Sequence, residues 1–174
     1  MTTARASHWL VRLVRHRLYD ERDARAKLSA AALQRIQAQV AASERAHDGE
    51  IRICIEAGLP FSYIKSGATA RERAIAMFGK LGVWDTERNN GVLIYLLLAE
   101  HAIEIVADRG LAARVPQTVF AELAAAMGEA FRRGDFEAGL LRAVDEVGKL
   151  LREHFAVEPG RANPNELPDA PVFN

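Results

Sequence analysis

Eight consecutive apolar residues, Val92 to Ala99, constrain the fold of this chain more than any other segment. The run is far too short to cross a membrane as a helix, and it is apolar on both faces. A strand with two apolar faces has to be covered by helices on each side. The run therefore predicts a central β-strand inside a three-layer α/β/α sandwich.

Two further strands are predicted. In the first, Ile51, Ile53 and Ile55 alternate with Arg52, Cys54 and Glu56, which is the period-2 pattern of a strand with one apolar face. The second, Ile103 to Asp108, follows a short connection and is expected to return antiparallel. Since a strand–helix–strand crossover is right-handed, the first two strands should form a parallel βαβ unit, and the third should add a hairpin to this small mixed sheet.

Helical periodicity predicts five helices, including additional ones at both ends of the chain. Their approximate ranges are residues 7–24, 29–47, 66–81, 116–133 and 136–155. Ser29 is the expected cap of the second helix, and Thr69 or Ser66 begins the third. The third helix is expected to bury three side chains, Ile75, Phe78 and Leu81. The segment Phe61–Gly67 is predicted to be irregular.

The chain divides into three parts by composition. Residues 1–28 hold a basic amphipathic helix, residues 29–155 form the domain, and residues 156–174 contain four prolines and are predicted to be an extended tail. Arginines interrupt the apolar positions of the first helix, so neither an export signal nor a transmembrane segment is predicted. The single cysteine, Cys54, fits a reducing compartment. The expected location is the cytoplasm.

Charge and motifs exclude several functional classes. The formal net charge is +0, so a nucleic-acid partner is not expected. The chain has no glycine-rich phosphate loop, no Gly-x-Ser-x-Gly elbow and no His-Glu-x-x-His pair. No catalytic residue is therefore predicted from motifs.

Oxygen-bearing side chains gather around the start of the central strand. Asp85, Glu87, Asn89 and Asn90 lie within six positions of one another, and Asp108 ends the return strand at the same edge of the sheet. Carboxylate and amide oxygens suit Ca²⁺ or Mg²⁺, so these five residues form a candidate site for a weakly bound cation. The alternative is purely structural, because Asp85 can cap the turn and Asn-Asn-Gly tolerates left-handed backbone.

The basic N-terminal helix has two alternative interpretations. Its apolar residues, such as Trp9 and Leu13, recur at helical spacing opposite Arg12 and Arg15. A helix of this kind packs its apolar stripe on its own domain, or it lies on an anionic membrane surface. Packing on the domain is the favoured prediction.

Four short segments carry a family resemblance. They are Glu50–Ile53, Lys80–Trp84, Asn89–Leu93 and Phe131–Gly139. Together, over about residues 29 to 155, they resemble the TPM domain family, the thylakoid-lumen-phosphatase-like domain of unknown function. The resemblance implies an α/β sandwich that is often bound to a divalent cation. It also implies relatives that take part in photosystem II repair in chloroplasts and in receptor assembly in animals.

The chain departs from the common family pattern. Many relatives have an aspartate where this sequence has Asn89, so the loss of one charge should weaken a cation site. The Trp84–Glu87 loop, the strand end Ala107–Gly110 and the tail motif Asn165–Asp169 are similar to a short cytoplasmic bacterial branch.

Two functions are compatible with this resemblance. The first is a non-catalytic accessory module with a weak cation site that assists a membrane-associated protein partner. The second is a weak metal-assisted acid phosphatase, in which Asp85 and Asp108 would hold the cation. Only Arg88, Arg109 and His101 are available to bind a phosphoryl group or act as a base, so the accessory module is favoured.

Overall fold

A computed structural model describes residues 3–158, 160 and 163–174. The strands in this part of the chain are β1 (Ile51–Glu56), β2 (Val92–Leu97), β3 (Ala102–Ala107) and β4 (Val172–Phe173). The helices are α1 (Thr3–Leu18), α2 (Glu21–Lys27), α3 (Ala30–Glu44), α4 (Phe61–Ser66), α5 (Ala70–Lys80), α6 (Arg109–Ala112), α7 (Gln117–Arg132) and α8 (Phe136–His154). Within the described residues, no helix combines the length and apolarity needed to cross a membrane.

The described strands form one mixed sheet in the order β3-β2-β1-β4. β1 and β2 are parallel, with Ile51 opposite Val92, and β2 and β3 are antiparallel, with Leu97 opposite Ala102. All six residues of β2 are buried. The predicted central strand, βαβ unit and hairpin are therefore confirmed.

Each face of the sheet packs against its own set of helices. On one face, Ile53 of β1 and Ile94 of β2 belong to a core that includes residues of α3, α7 and α8. On the other face, Leu93 and Tyr95 pack with residues of α4 and α5. Burying each large apolar side chain contributes about 1.5–3 kcal/mol, so both helical layers are needed to cover β2. The predicted three-layer α/β/α sandwich is confirmed.

Two predictions for the N-terminal half are wrong. The single helix expected over residues 7–24 is two helices, because α1 ends at Leu18 and α2 begins at Glu21. The segment expected to be irregular contains α4, which Gly67 ends with a left-handed φ of 73°. A local pattern of only six residues is too short to show a helical period, so α4 gave no signal in the sequence.

The inward face of α5 also differs from the prediction. Thr69 caps this helix as expected and forms a capping box with Glu72. Ile75, however, is 52% exposed, whereas Ala74 and Met77 are fully buried. Phe78 and Leu81 pack against the core as predicted, so only Ile75 departs from the predicted inward face.

The C-terminal segment forms the fourth strand. Val172 and Phe173 of β4 pair in parallel with Cys54 and Ile55 of β1. The strand covers the edge of β1 that would otherwise be open to solvent. The tail is thus extended and docked on the domain, and the boundaries proposed at residues 28 and 155 stay a prediction.

Two buried charged residues, Glu50 just before β1 and Arg52 within it, hold this tail through its backbone. The Glu50 carboxylate accepts hydrogen bonds from the N–H groups of Glu166 and Leu167, both at 3.1 Å. The Arg52 guanidinium donates to the carbonyl oxygen of Ala170 at 2.7 Å and to that of Pro168. Without the tail, both charged groups would lose these hydrogen-bond partners.

Candidate functional site

The loop between α5 and β2 folds back tightly on itself, with Gly91 beside Val83. Asn89 adopts a left-handed φ of 53°, a conformation that asparagine tolerates better than most residues. A Cβ atom placed on Gly91 would lie 2.0 Å from the carbonyl oxygen of Val83, so only glycine fits there. Gly91 is therefore required by the path of the backbone into β2, and Asn89 is well suited to it.

The end of β3 and the start of α6 meet this loop directly. The N–H of Asp108 donates to the carbonyl oxygen of Gly91 at 2.8 Å, and the N–H of Gly110 donates to that of Asn89 at 2.8 Å. The Asp108 side chain caps α6 by accepting from the N–H of Arg109 at 2.7 Å. The predicted position of Asp108 beside the start of the central strand is thus what the structure shows.

Two oxygen atoms in the corner formed by residues 85–91 of the loop and the end of β3 have no hydrogen-bond donor. The Asn90 side chain is fully buried, and its Nδ2 donates to the carbonyl oxygen and Oδ1 of Asp48 at 2.9 and 3.3 Å. Its own Oδ1 has no partner, and neither has Oδ2 of Asp108, which is 9% exposed. Among buried polar side-chain atoms of the described residues, these two alone lack a partner. Each costs about 1–3 kcal/mol unless a donor or cation satisfies it.

The other three predicted ligands are placed differently. The side chains of Asp85 and Glu87 are exposed, and the N–H of Glu87 donates to the tail carboxylate of Glu166 at 3.0 Å. The Oδ1 atom of Asn89 accepts from Nε of Arg109 at 2.8 Å. Within the described part of the chain, no group of three or more His, Cys, Asp or Glu side chains is arranged to hold a metal ion.

Two contributors to this corner could not be identified from the sequence. Asp48 is not among the predicted ligands, yet its carboxylate binds both Arg88 and Asn90. Thr86 accepts the N–H of Asn90 through its Oγ1 atom at 3.1 Å. Asp48 lies 42 residues from Asn90 along the chain, so no local pattern connects them.

The groups that could serve catalysis are engaged or distant. The guanidinium of Arg88 pairs with Asp48 and lies 5.3 Å from the centre of the Phe155 ring. Arg109 is bound to Asn89. His101 lies in the β2–β3 turn, at the opposite end of these strands, roughly 20 Å from the oxygen-lined corner at about 3.4 Å per residue. His101 is therefore too far from the unpaired oxygens to act on a group bound there.

A second buried polar cluster lies at the C-terminal end of β1. The carboxylate of Glu56 accepts from Arg73 at 2.5 and 2.9 Å, from the Tyr95 hydroxyl at 2.5 Å and from Nδ2 of Asn174 at 2.8 Å. Every oxygen of this carboxylate is satisfied. The pKa of the neighbouring Cys54 thiol is raised to about 12, chiefly by burial, so this cysteine is not a reactive thiolate at neutral pH. The cluster therefore stabilises the fold.

The mixed sheet with helices on both faces defines an α/β sandwich domain. The chain belongs to the TPM domain family, whose profile matches residues 22–150. The resemblance found in the sequence is thereby confirmed. No curated protein sequence matches this chain.

Two solved structures share this fold. The NMR structure of the BA42 protein from the psychrophilic bacterium Bizionia argentinensis is 24% identical, with a TM-score of 0.72 over 84% of this chain and 95% of that one. The N-terminal domain of a protein from P. gingivalis is 20% identical, with a TM-score of 0.56 over 75% of this chain and 82% of that one. At these identities the similarity extends to the fold alone.

Proposed function

We propose that this TPM domain is a non-catalytic accessory module that binds Ca²⁺ or Mg²⁺ weakly and assists a membrane-associated protein partner in the cytoplasm. The observation that supports the cation site is the pair of buried oxygens without donors, on Asn90 and Asp108. Asp108 donates the backbone hydrogen bond that joins the end of β3 to the loop, and Asn90 directly precedes Gly91, which accepts it. Hard cations prefer oxygen ligands of this kind.

The proposed ligands fall into an inner and an outer set. Asn90 and Asp108 would bind through their unpaired oxygens, while the exposed carboxylates of Asp85 and Glu87 and the amide of Asn89 would complete the shell or hold its water. We expect weak binding, because Asn89 is an uncharged ligand and its oxygen already accepts a hydrogen bond from Arg109. Ligand charge strongly affects Ca²⁺ affinity in proteins.

The accessory role is favoured over the alternative, a metal-assisted acid phosphatase. A phosphatase needs a base and phosphoryl-binding donors beside the metal. The two nearby arginines, Arg88 and Arg109, are already bound to Asp48 and Asn89, and His101 lies at the far end of the hairpin. A groove of about 740 Å³ between β3 and α7 includes His101 but none of the five proposed ligands.

The cation site is tested by calorimetry and amide NMR titration with CaCl₂ and MgCl₂. We expect millimolar dissociation constants, with shifts confined to residues 85–91 and the neighbourhood of Asp108. Asn89→Asp should tighten binding about tenfold, because it adds a charged ligand. Asp108→Asn should weaken it, whereas Asp135→Asn should not, because Asp135 is an exposed carboxylate at the N-cap of α8, at the opposite end of that helix from Phe155 and Arg88.

A loop that gives no response to millimolar Ca²⁺ or Mg²⁺ would make the Asn-Asn-Gly segment structural only. Catalysis is tested separately, with purified protein and a generic phosphomonoester. We expect negligible turnover that Asp85→Ala and Asp108→Asn do not change. Robust metal-dependent turnover that Asp85→Ala abolishes, with circular dichroism unchanged, would favour the phosphatase instead.

A further inference from the structure

The N-terminal helix α1 is attached to the domain by its polar side. Arg12 donates to Oε1 of Glu100 and to the carbonyl oxygen of Ala68, both at 2.6 Å. His16 is 4% exposed and accepts the N–H of Leu59 on Nδ1 at 3.0 Å, which leaves its Nε2 to donate to Glu100 at 2.9 Å. These bonds fix the rotation of the helix about its own axis.

The apolar side of α1 consequently faces solvent. Four of its large apolar residues are exposed by 48 to 73%: Leu10, Val11, Val14 and Leu18. Leu13, on the other side, packs against the core. An amphipathic helix on a domain surface ordinarily buries its apolar stripe. Leu13 packs on the domain as predicted, but Leu10, Val14 and Leu18 do not, so the favoured sequence prediction holds only in part.

Arginines border this outward stripe on both sides. At about 100° per residue, Arg17 lies roughly 20° beyond Leu10, and Arg15 lies roughly 40° beyond Val11. Arg17 is exposed, and Arg15 remains 48% exposed although it forms a long ion pair with Glu100 at 3.6 Å. The sequence of α1 contains no acidic residue. The outward side is therefore an apolar stripe between two positively charged borders.

We propose that this outward face of α1 docks on an anionic bilayer, with Leu10, Val11, Val14 and Leu18 inserted at the level of the headgroups. Arginines beside such a stripe extend toward lipid phosphates while their stems contact the apolar layer. Charge favours this occupant over a second copy of the chain, because two α1 faces would bring like-charged arginines together.

A module that serves a membrane-associated partner has to be held near the bilayer. The role of this docking face therefore depends on the proposed accessory function, whereas its geometry is independent of the cation site. The two sites are tested separately, because the vesicle experiment is carried out in EDTA.

The full-length protein is tested by co-sedimentation with vesicles of phosphatidylcholine and phosphatidylglycerol in a ratio of about seven to three. We expect salt-sensitive binding that is absent from pure phosphatidylcholine vesicles. Val14→Glu with Leu18→Glu should lower partitioning about a hundredfold, since two inserted apolar side chains are lost. Arg15→Ala and Arg17→Ala should each lower it about fivefold.

The matched control is Ile75→Glu, which replaces another exposed apolar residue, on α5, with the same charge. It should leave vesicle binding unchanged, and thermal melts should show that every variant is folded. Absence of binding by the wild-type protein, or an equal loss in the control, would overturn the proposal. Self-association in sedimentation velocity that Val14→Glu with Leu18→Glu removes, without vesicle binding, would instead assign this face to a second copy.

Discussion

Replacing Arg73 with methionine would remove the cation that neutralises Glu56 inside the domain. Glu56 is 1% exposed and Arg73 is 7% exposed, and they are joined by hydrogen bonds of 2.5 and 2.9 Å. Methionine keeps a long, flexible stem, so the packing against the sheet changes little. The Glu56 carboxylate keeps its hydrogen bonds from Tyr95 and Asn174 but loses the guanidinium.

The expected loss of stability is large. Removing one partner of a buried ion pair costs about 3–5 kcal/mol, because the remaining carboxylate stays buried without its counter-charge. A domain of this size loses about 2–4 °C in thermal midpoint per kcal/mol. The midpoint of Arg73→Met should therefore fall by about 6–20 °C.

Differential scanning calorimetry and urea unfolding measure this effect. Arg132→Met is the matched control, because its ion pair with Glu129 is exposed and should contribute about 0–1 kcal/mol. The double variant Arg73→Met with Glu56→Gln should be more stable than the sum of the single changes predicts, since it leaves no uncompensated charge. A midpoint of Arg73→Met no lower than that of Arg132→Met would refute this reasoning.

Two further predictions concern pH and the tail. Burial raises the pKa of Glu44 to about 8, so folding favours the protonated carboxyl group. The stability that this group contributes is fully present below about pH 4.5 and is lost as pH rises to about 8. Glu44→Gln should thus have a higher thermal midpoint than the wild type at pH 8, and a similar one near pH 4; a constant difference would contradict this assignment. Truncation after Ala162 should lower the midpoint markedly, because it removes β4 and the backbone partners of Glu50 and Arg52. An unchanged calorimetric midpoint would show that the tail is dispensable.

The sequence determined the central part of the fold because the relevant patterns are local. The apolar run of β2 requires cover on both faces, and Thr69 with Glu72 caps the crossover helix within one turn. The hairpin between β2 and β3 needs only a short connection. These elements are specified by residues within a few positions of one another, so they were predicted correctly.

The candidate site was determined by the sequence only in part. The loop and the end of β3 were expected to meet, and they do so through the bond between Asp108 and Gly91. Which oxygens remain unpaired there depends on Asp48 and Arg109, whose distances to the loop are set by the packing of separate elements. Composition alone treats the five proposed ligands as equivalent, and the structure distinguishes the buried Asn90 and Asp108 from the rest.

The orientation of α1 was decided by the tertiary structure alone. Its residue spacing indicates an apolar face and a basic face, but it does not show which of them meets the domain. Arg12 and His16 turn inward because Glu100, more than 80 residues away, offers a partly buried carboxylate between them. A charged partner at that distance along the chain leaves only Leu13 of the apolar stripe facing the core and turns Leu10, Val14 and Leu18 outward. Only the folded arrangement brings the three polar side chains together.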